Sequence, residues 1–163
     1  MKTLSKILMF VLFAVLAASS VASPKDKQQI RALYARLKNA MITKNMAAIE
    51  KMEAPGFSDT EMGKTFTAAE ANAQMKQHFA SIKKMKHMSM QITNLNVKNK
   101  NAVAKTKYAM EAIFSGPDKK NHNLKITGTT EDNLVKTAKG WLFQSEKDTG
   151  TKALVDGKPM QGT

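Results

Sequence analysis

The spacing of apolar residues changes once along this chain, and that change restricts its fold class more than any other feature. In the first half, apolar side chains recur every three or four residues, as on one face of a helix: Ile30, Leu33, Tyr34, Leu37 and Met41. From Met88 onward they alternate with polar residues, as on a half-buried strand. Helices followed by a run of strands predict an α+β fold with an antiparallel sheet.

Cap and turn residues predict where the helices begin and end. Ser23, Pro24 and Asp26 suit the start of the first helix, and Asn45 suits the cap of a short second one that Pro55 ends. A small hairpin over 57–66 is expected to turn at Gly63. Residues 67–70 read as a capping box, which begins a third helix ending near Met85. The apolar stripe predicted for that helix is Ala71, Met75, His78, Phe79 and Ile82.

The second half predicts long strands that are joined by tight turns. A slip in apolar phase at Thr93 and Asn94 indicates a β-bulge in the first of them. The next strands are expected over 102–114, 124–135 and 141–146, with Gly140 in the turn before the last one. A final short strand, 153–155, precedes an Asp156-Gly157 turn.

This order of elements resembles the nuclear transport factor 2-like superfamily, also called SnoaL-like or cystatin-like α+β. The strand-turn-strand of residues 132–143, DNLVKTAKGWLF, and the tail of residues 154–159, LVDGKP, are similar to the family's closing segments. Leu134 stands where the family often has an aromatic residue. Over residues 25–160 the resemblance implies three N-terminal helices on a strongly curved antiparallel sheet, a cone that encloses a pocket. Its members include isomerases, dehydratases, cyclases and binding modules, so the fold alone does not choose a function.

Composition excludes several classes of chemistry. The chain has no cysteine, which excludes disulfides and thiolate sites. Its 26 basic and 13 acidic residues give a net charge of +13, and only Arg31 and Arg36 are arginines. Scattered lysines with few aromatic residues predict a solvated surface that is weakly attracted to anionic surfaces, with no specific nucleic-acid binding.

The first 22 residues have the pattern of a signal peptide. Lys2 and Lys6 precede an apolar run over 7–18, which is short for a membrane span, and small residues follow. Ser20 and Ala22 suit a cleavage site after Ala22, so we expect an exported single domain over 23–163, periplasmic or extracellular. A retained membrane anchor is the alternative.

Strand parity selects one acid as a candidate for chemistry. If Leu124, Ile126 and Leu134 face the core, Thr130 and Asp132 face it too. A buried carboxylate with no partner has a raised pKa, as an acid or base requires. A bulge that turns Asp132 to solvent is the alternative.

Other candidates lie on the helices and the hairpin. Tyr34 and His78 lie in the helical stripes, and Glu61 lies near the expected mouth of the cone. A tyrosine on the first helix with acids on the hairpin and a late strand is similar to the layout of ketosteroid isomerase. The candidate catalytic residues are Asp132 with Tyr34 or His78. The pocket is expected to include Tyr34, Glu61, His78, Tyr108, Thr130, Asp132 and Trp141. Core packing for Tyr34, a boundary position for His78 and a surface turn for Glu61 are the alternatives.

A Met- and His-rich segment offers a competing site. Thioethers and imidazole bind Cu(I), and the ligands here would be Met85, His87, Met88 and Met90. On a regular strand, however, His87 points to the face opposite Met88 and Met90.

The sequence therefore predicts an exported domain that binds a small, partly apolar ligand or acts as an interaction module, with a homodimer through the outer face of the sheet. The alternatives are an isomerase or lyase and a Cu(I)-binding protein. The favoured interpretation is not enzymatic and needs no cofactor.

Overall fold

The structure is a computed structural model that describes residues 23–160, so the predicted signal peptide lies outside the described residues. The helices are α1 (Pro24–Ile42), α2 (Met46–Glu50) and α3 (Ala68–Ser81). The strands are β1 (Glu53–Glu61), β2 (Lys64–Thr67), β3 (Ile82–Lys98), β4 (Asn101–Ser115), β5 (Asn121–Thr137), β6 (Gly140–Val155) and β7 (Lys158–Pro159). This order confirms the predicted α+β class.

The predicted helix caps are present. Ser23 Oγ accepts from the Asp26 backbone N–H at 3.4 Å, and Asn45 Oδ1 accepts from that of Ala48 at 3.1 Å. In the capping box, Glu70 Oε2 accepts from the Thr67 backbone N–H at 2.8 Å. Each contact gives a partner to a backbone group that a helix terminus leaves unsatisfied.

The third helix is shorter than predicted, because it ends at Ser81 and not near Met85. Ile82 is already extended and pairs with Phe114 on β4. Carbonyls in the last turn of α3 accept from side chains: Ser81 Oγ donates to the His78 oxygen at 2.7 Å, and Lys44 Nζ donates to the Phe79 oxygen at 3.3 Å. Lys44 Nζ also donates to the oxygen of Ile82, just beyond the helix, at 2.8 Å. The apolar Ile82 therefore belongs to the core through the sheet and not through the helix.

The sheet runs in the order β2-β1-β6-β5-β4-β3, with β7 added to β6. Its pairs are antiparallel except β1 with β6, which is parallel, so the expected all-antiparallel sheet is in fact mixed. Strand β1 follows α2 along the chain and pairs with β6, with Glu53 opposite Phe143. The α1 helix packs on β3 and β6, and α3 packs on β1 and β2. The face beneath α1 is called the inner face below.

Bulges bend the long strands. The predicted one is confirmed at Thr93, where the β3–β4 register shifts between Ile92 and Asn94. Strand β6 has two more, since Gln144 and Thr149 have no Cα partner on β5. It therefore continues to Val155 as one bent strand, whereas two separate strands, 141–146 and 153–155, were expected.

The core lies between α1 and the inner face. Trp141 is 3% exposed, which confirms its predicted burial, and Tyr34 meets the Phe143 ring edge-on at 5.2 Å. Asp26 Oδ1 accepts from Trp141 Nε1 at 3.0 Å and from Lys136 Nζ at 2.7 Å, so the first turn of α1 is fixed to the β5–β6 hairpin. No helix within residues 23–160 has the length and apolar character that a membrane crossing requires.

Candidate functional site

Asp132 lies at the centre of the candidate site. It is on the inner face of β5 and only 2% exposed, so its orientation is the one that strand parity predicts. The Tyr34 hydroxyl, from α1, donates a hydrogen bond to Asp132 Oδ2. Burial and the neighbouring Asp132 charge raise the pKa of Tyr34, so its hydroxyl keeps its proton and acts as the donor.

The second oxygen of the Asp132 carboxylate has no partner. Oδ1 is buried and accepts no hydrogen bond from any residue between Ser23 and Met160. Burial raises the pKa of Asp132 to about 6, and the hydroxyls of Tyr34 and then Thr130 act in the opposite direction. The hydrogen-bond partner of Thr130 Oγ1 is Thr106 Oγ1, so Thr130 is a neighbour of the carboxylate and not its bonded donor. An unpaired buried oxygen is energetically costly, and a bound group that donates a hydrogen bond would relieve that cost.

Two more carboxylates stand in line with Asp132 across the sheet. Glu146 on β6 is the register partner of Asp132, and Asp59 on β1 is the register partner of Glu146. Register partners on adjacent strands point to the same face, so all three face inward. Burial raises the pKa of Glu146 well above its usual range, and repulsion from Asp132 and Asp59 adds to the effect. Burial, followed by the charge of Glu61, raises the pKa of Asp59 to about 6.

Two acids complete this group near its open side. Glu61 is exposed at the end of β1 and Asp148 is half-buried on β6; both repel Glu146. We call the five carboxylates the acid cluster: Asp59, Glu61, Asp132, Glu146 and Asp148. None of them forms an ion pair with any residue that the structure describes.

A cross-strand contact borders the acid cluster. The Tyr108 hydroxyl on β4 bonds Thr151 Oγ1 on β6 at 2.7 Å, across Gly128 on β5. A Cβ at position 128 would lie 2.5 Å from the Tyr108 hydroxyl, so only glycine leaves room for that ring. Thr130 is buried, and its Oγ1 lies 2.7 Å from Thr106 Oγ1. Both Tyr108 and Thr130 were expected at the site, and the structure places them beside it.

Two of the expected residues lie elsewhere. His78 is exposed on α3, one position before the buried Phe79 and about 100° from it around the helix. The core-facing assignment of His78 is therefore wrong, because the buried side of α3 runs through Asn72 and Phe79. Trp141 belongs to the core beside Asp26, outside the acid cluster.

The Met- and His-rich segment does not gather its side chains at one point. Met88 is buried opposite Met110 and Met90 is half-buried opposite Tyr108, whereas His87 is exposed. In residues 23–160, no three His, Cys, Asp or Glu side chains are arranged to hold a metal ion. This segment therefore does not provide ligands that converge on one Cu(I) ion.

Sequence reasoning missed Glu146 and Asp59. Parity from Trp141 and Phe143 would turn Ser145 inward, but the bulge at Gln144 turns Glu146 inward instead. For Asp59 a signal was present, because it shares parity with the buried Phe57 and with Glu61 on β1. Two surface depressions are lined by other residues than the cluster carboxylates. One includes Lys86 and Asn123, and the other includes Tyr108, Gly128 and Thr151, which border the acid cluster.

Comparison with known proteins defines the fold. No protein-family profile and no curated protein matches this sequence. Among solved structures, a conserved protein from Planctomyces limnophilus is 14% identical with a TM-score of 0.67, covering 83% of this chain and 98% of that chain. A provisionally assigned dehydratase of the nuclear transport factor 2-like family from Streptomyces avermitilis is 13% identical with a TM-score of 0.63, covering 86% and 100%. A ketosteroid isomerase-like protein from Erwinia carotovora atroseptica is 11% identical with a TM-score of 0.61, covering 78% and 99%.

The described chain therefore has the nuclear transport factor 2-like fold, as the sequence resemblance implies. At these identities the likeness concerns the fold, and the acid cluster has to be interpreted from its own geometry.

Proposed function

We propose that the domain binds a small molecule at the acid cluster, with Asp132 and Tyr34 at the inner end of the site. The observation that carries this proposal is the unpartnered, buried Oδ1 of Asp132. Folding alone gains nothing from an orphaned carboxylate oxygen, whereas a ligand with a hydrogen-bond donor would satisfy it.

The surroundings of Asp132 support a ligand that is partly apolar. Tyr108 on β4 and the buried Phe57 on β1 lie on the same inner face as the carboxylates, and the Tyr34 side chain reaches this face from α1. Ligand sites commonly combine such aromatic walls with a few convergent polar groups. The neighbouring folds described as a dehydratase and as ketosteroid isomerase-like support a role in small-molecule chemistry for this architecture.

A nuclear magnetic resonance fragment screen tests the binding function. Isotope-labelled protein over 23–163 would be titrated with a mixed library of acidic, neutral and basic fragments. We expect at least one fragment class to produce saturable shifts confined to amides near Asp59, Asp132 and Glu146. Asp132→Asn should weaken that binding, whereas Glu111→Gln, which removes a carboxylate paired with Lys125, should not. If shifts are absent from the cluster, or are spread over the whole surface, the proposal is wrong.

Proton transfer, as in an isomerase or lyase, is the second candidate. Asp132 has a raised pKa and is bonded to a tyrosine that keeps its proton, so the pair contains a base and a hydrogen-bond donor. Cyclic ketones incubated with the protein in D2O would reveal such chemistry as deuterium at the α-carbon. We expect exchange above the buffer rate that is lost in Asp132→Asn. Equal rates with and without protein would leave binding as the function.

A further inference from the structure

We propose that the acid cluster recognises an organic cation, a small molecule that carries an ammonium or guanidinium group on an apolar body. This inference rests on the proposed binding function and names its ligand class.

The pairing of the acids in this chain supports the proposal. Of the 13 acidic residues, six form ion pairs: Asp26, Glu50, Glu111, Asp118, Glu131 and Asp156. Two more bond neutral side chains, Glu53 with Asn72 and Glu70 with Thr67. The remaining five are the acid cluster, in which Asp132 also bonds a neutral side chain, that of Tyr34, and Asp148 Oδ1 accepts from the Gly150 backbone N–H at 2.8 Å. Five of the seven carboxylates that form no ion pair are therefore gathered in one place.

That concentration contrasts with the rest of the molecule. The chain carries 26 basic residues and a net charge of +13, yet no lysine or arginine that the structure describes forms an ion pair with the cluster. Like charges held together in a partly desolvated place repel, and a cationic ligand would offset that repulsion. An anionic ligand would add to it, so the local charge selects the sign of the ligand.

The buried carboxylate supplies the second, independent observation. Asp132 is 2% exposed, and its Oδ1 has no hydrogen-bond partner among the described residues. Asp132 is also the register partner of Glu146 on β6. An ammonium or guanidinium group donates several hydrogen bonds, so it can satisfy such oxygens while it neutralises the charge.

The spacing of the carboxylates favours an organic cation over a metal ion. Asp59, Glu146 and Asp132 stand on three adjacent strands, each step being about 5 Å between Cβ atoms. The described residues hold no three acids that converge on one ion position. A cation with several donors spans such distances, and the Tyr108 side chain lies close enough for the charges of Asp148, Glu146 and Glu61 to raise its pKa.

A matched series of three probes tests the inference: benzylammonium, benzyl alcohol and benzoate share one ring and differ in charge. We expect benzylammonium to give saturable amide shifts at the cluster and to bind at least about tenfold more tightly than benzyl alcohol. Benzoate should not bind there. Affinity for benzylammonium should rise from pH 5 to pH 8 as the carboxylates ionise.

Variants locate the effect and separate it from folding. Glu146→Gln and Asp59→Asn should each reduce benzylammonium affinity about tenfold without lowering the unfolding midpoint, since each removes a repelling charge. Glu111→Gln is the control and should bind like the unmodified chain. If benzyl alcohol or benzoate binds at the cluster as tightly as benzylammonium, the ligand class is wrong and the binding function survives. Failure of benzylammonium to bind, or its displacement by millimolar CaCl2, would overturn the inference as well.

Discussion

At the scale of single residues, the charges of the acid cluster lower the stability of the folded protein. Asp59 is half-buried with a pKa raised to about 6, so folding opposes its ionisation. Groups of this kind concentrate at functional sites, because binding or catalysis needs the charge that folding disfavours. The paired acids elsewhere in the chain show that partners for carboxylates were available.

Asp59→Asn should therefore stabilise the protein. The folded-state pKa lies above the usual value of 3.8, so stability falls as the pH rises from about 4 to 6 and the penalty is complete above pH 6. We expect the variant to gain about 1–2 kcal/mol in free energy of unfolding at pH 8, after allowance for partial solvent screening, and little at pH 4. Urea unfolding at the two pH values measures this. An equal change at both would show that charge is not the cause.

At the scale of elements, side-chain hydrogen bonds connect strands and turns in addition to the backbone hydrogen bonds of the sheet. Tyr108, Gly128 and Thr151 form a contact across β4, β5 and β6, and its geometry depends on the missing side chain of Gly128. His122 forms a second connection, with Nδ1 2.7 Å from Asp156 Oδ2 and Nε2 2.9 Å from Asp118 Oδ1. It thus holds the β4–β5 turn against the β6–β7 turn.

Gly128→Ala should displace the Tyr108 ring, because the new Cβ would lie within 2.5–2.7 Å of three of its atoms. The ring can rotate away, so we expect a cost of about 1–3 kcal/mol and loss of the Tyr108–Thr151 bond, not global unfolding. A double-mutant cycle with Tyr108→Ala measures the coupling. If Gly128→Ala lowers the free energy of unfolding equally in the unmodified protein and in Tyr108→Ala, the glycine is not needed to make room for the Tyr108 ring.

The His122 contact should make stability depend on pH. Hydrogen bonds with Asp156 and then Asp118 raise the pKa of His122 above 6.5. Its contribution is therefore complete below the unfolded-state pKa and is lost as the pH rises through the folded-state pKa. His122→Gln should lower the thermal midpoint more at pH 5.5 than at pH 8.5. His87→Gln, at an exposed histidine on β3, serves as the control and should show no such difference.

At the scale of the whole molecule, one core under α1 holds the helices to the sheet. Trp141 is buried in it, and its indole bonds Asp26 at the start of α1.

Trp141→Ala should cost about 3–5 kcal/mol, the range for removal of a large buried aromatic side chain. Because the chain has a single tryptophan, its fluorescence in the unmodified protein reports on this position directly. We expect weak quenching by aqueous iodide, and denaturant unfolding of the variant measures the cost. Full quenching would contradict the inward placement of β6.

We also propose that the chain is exported and cleaved after Ala22. Cleavage there keeps Ser23, whose hydroxyl caps α1. Mass spectrometry of the soluble protein from cells that export it should show an N-terminus at Ser23, and Ala22→Phe should block processing. Intact Met1 in the soluble fraction would contradict the export proposal.

The sequence predicted those features that depend on local patterns. Caps, the turn at Gly140, the Thr93 bulge and the inward Asp132 follow from spacing and turn chemistry. The acid cluster needed tertiary information, because the bulge at Gln144 reverses the parity of β6 and the parallel pairing of β1 brings Asp59 from far away. Spacing therefore could not assign Glu146. The parity of Asp59 with Phe57 indicates its face on β1, but not that β1 lies beside Glu146.

The parallel pairing of β1 with β6 also determines when the site can exist. Asp59 and Glu146 are register partners although 87 positions separate them in the chain. Contacts between residues so distant in sequence close a large loop and form slowly, whereas the β3–β6 hairpins need only local closure. Strand β1 is therefore expected to join the sheet late in folding, with its amides gaining protection from hydrogen exchange after those of β4 and β5. A chain in which the hairpins had formed before β1 joined the sheet would hold Asp132, Glu146 and Asp148 together and still lack Asp59 and Glu61.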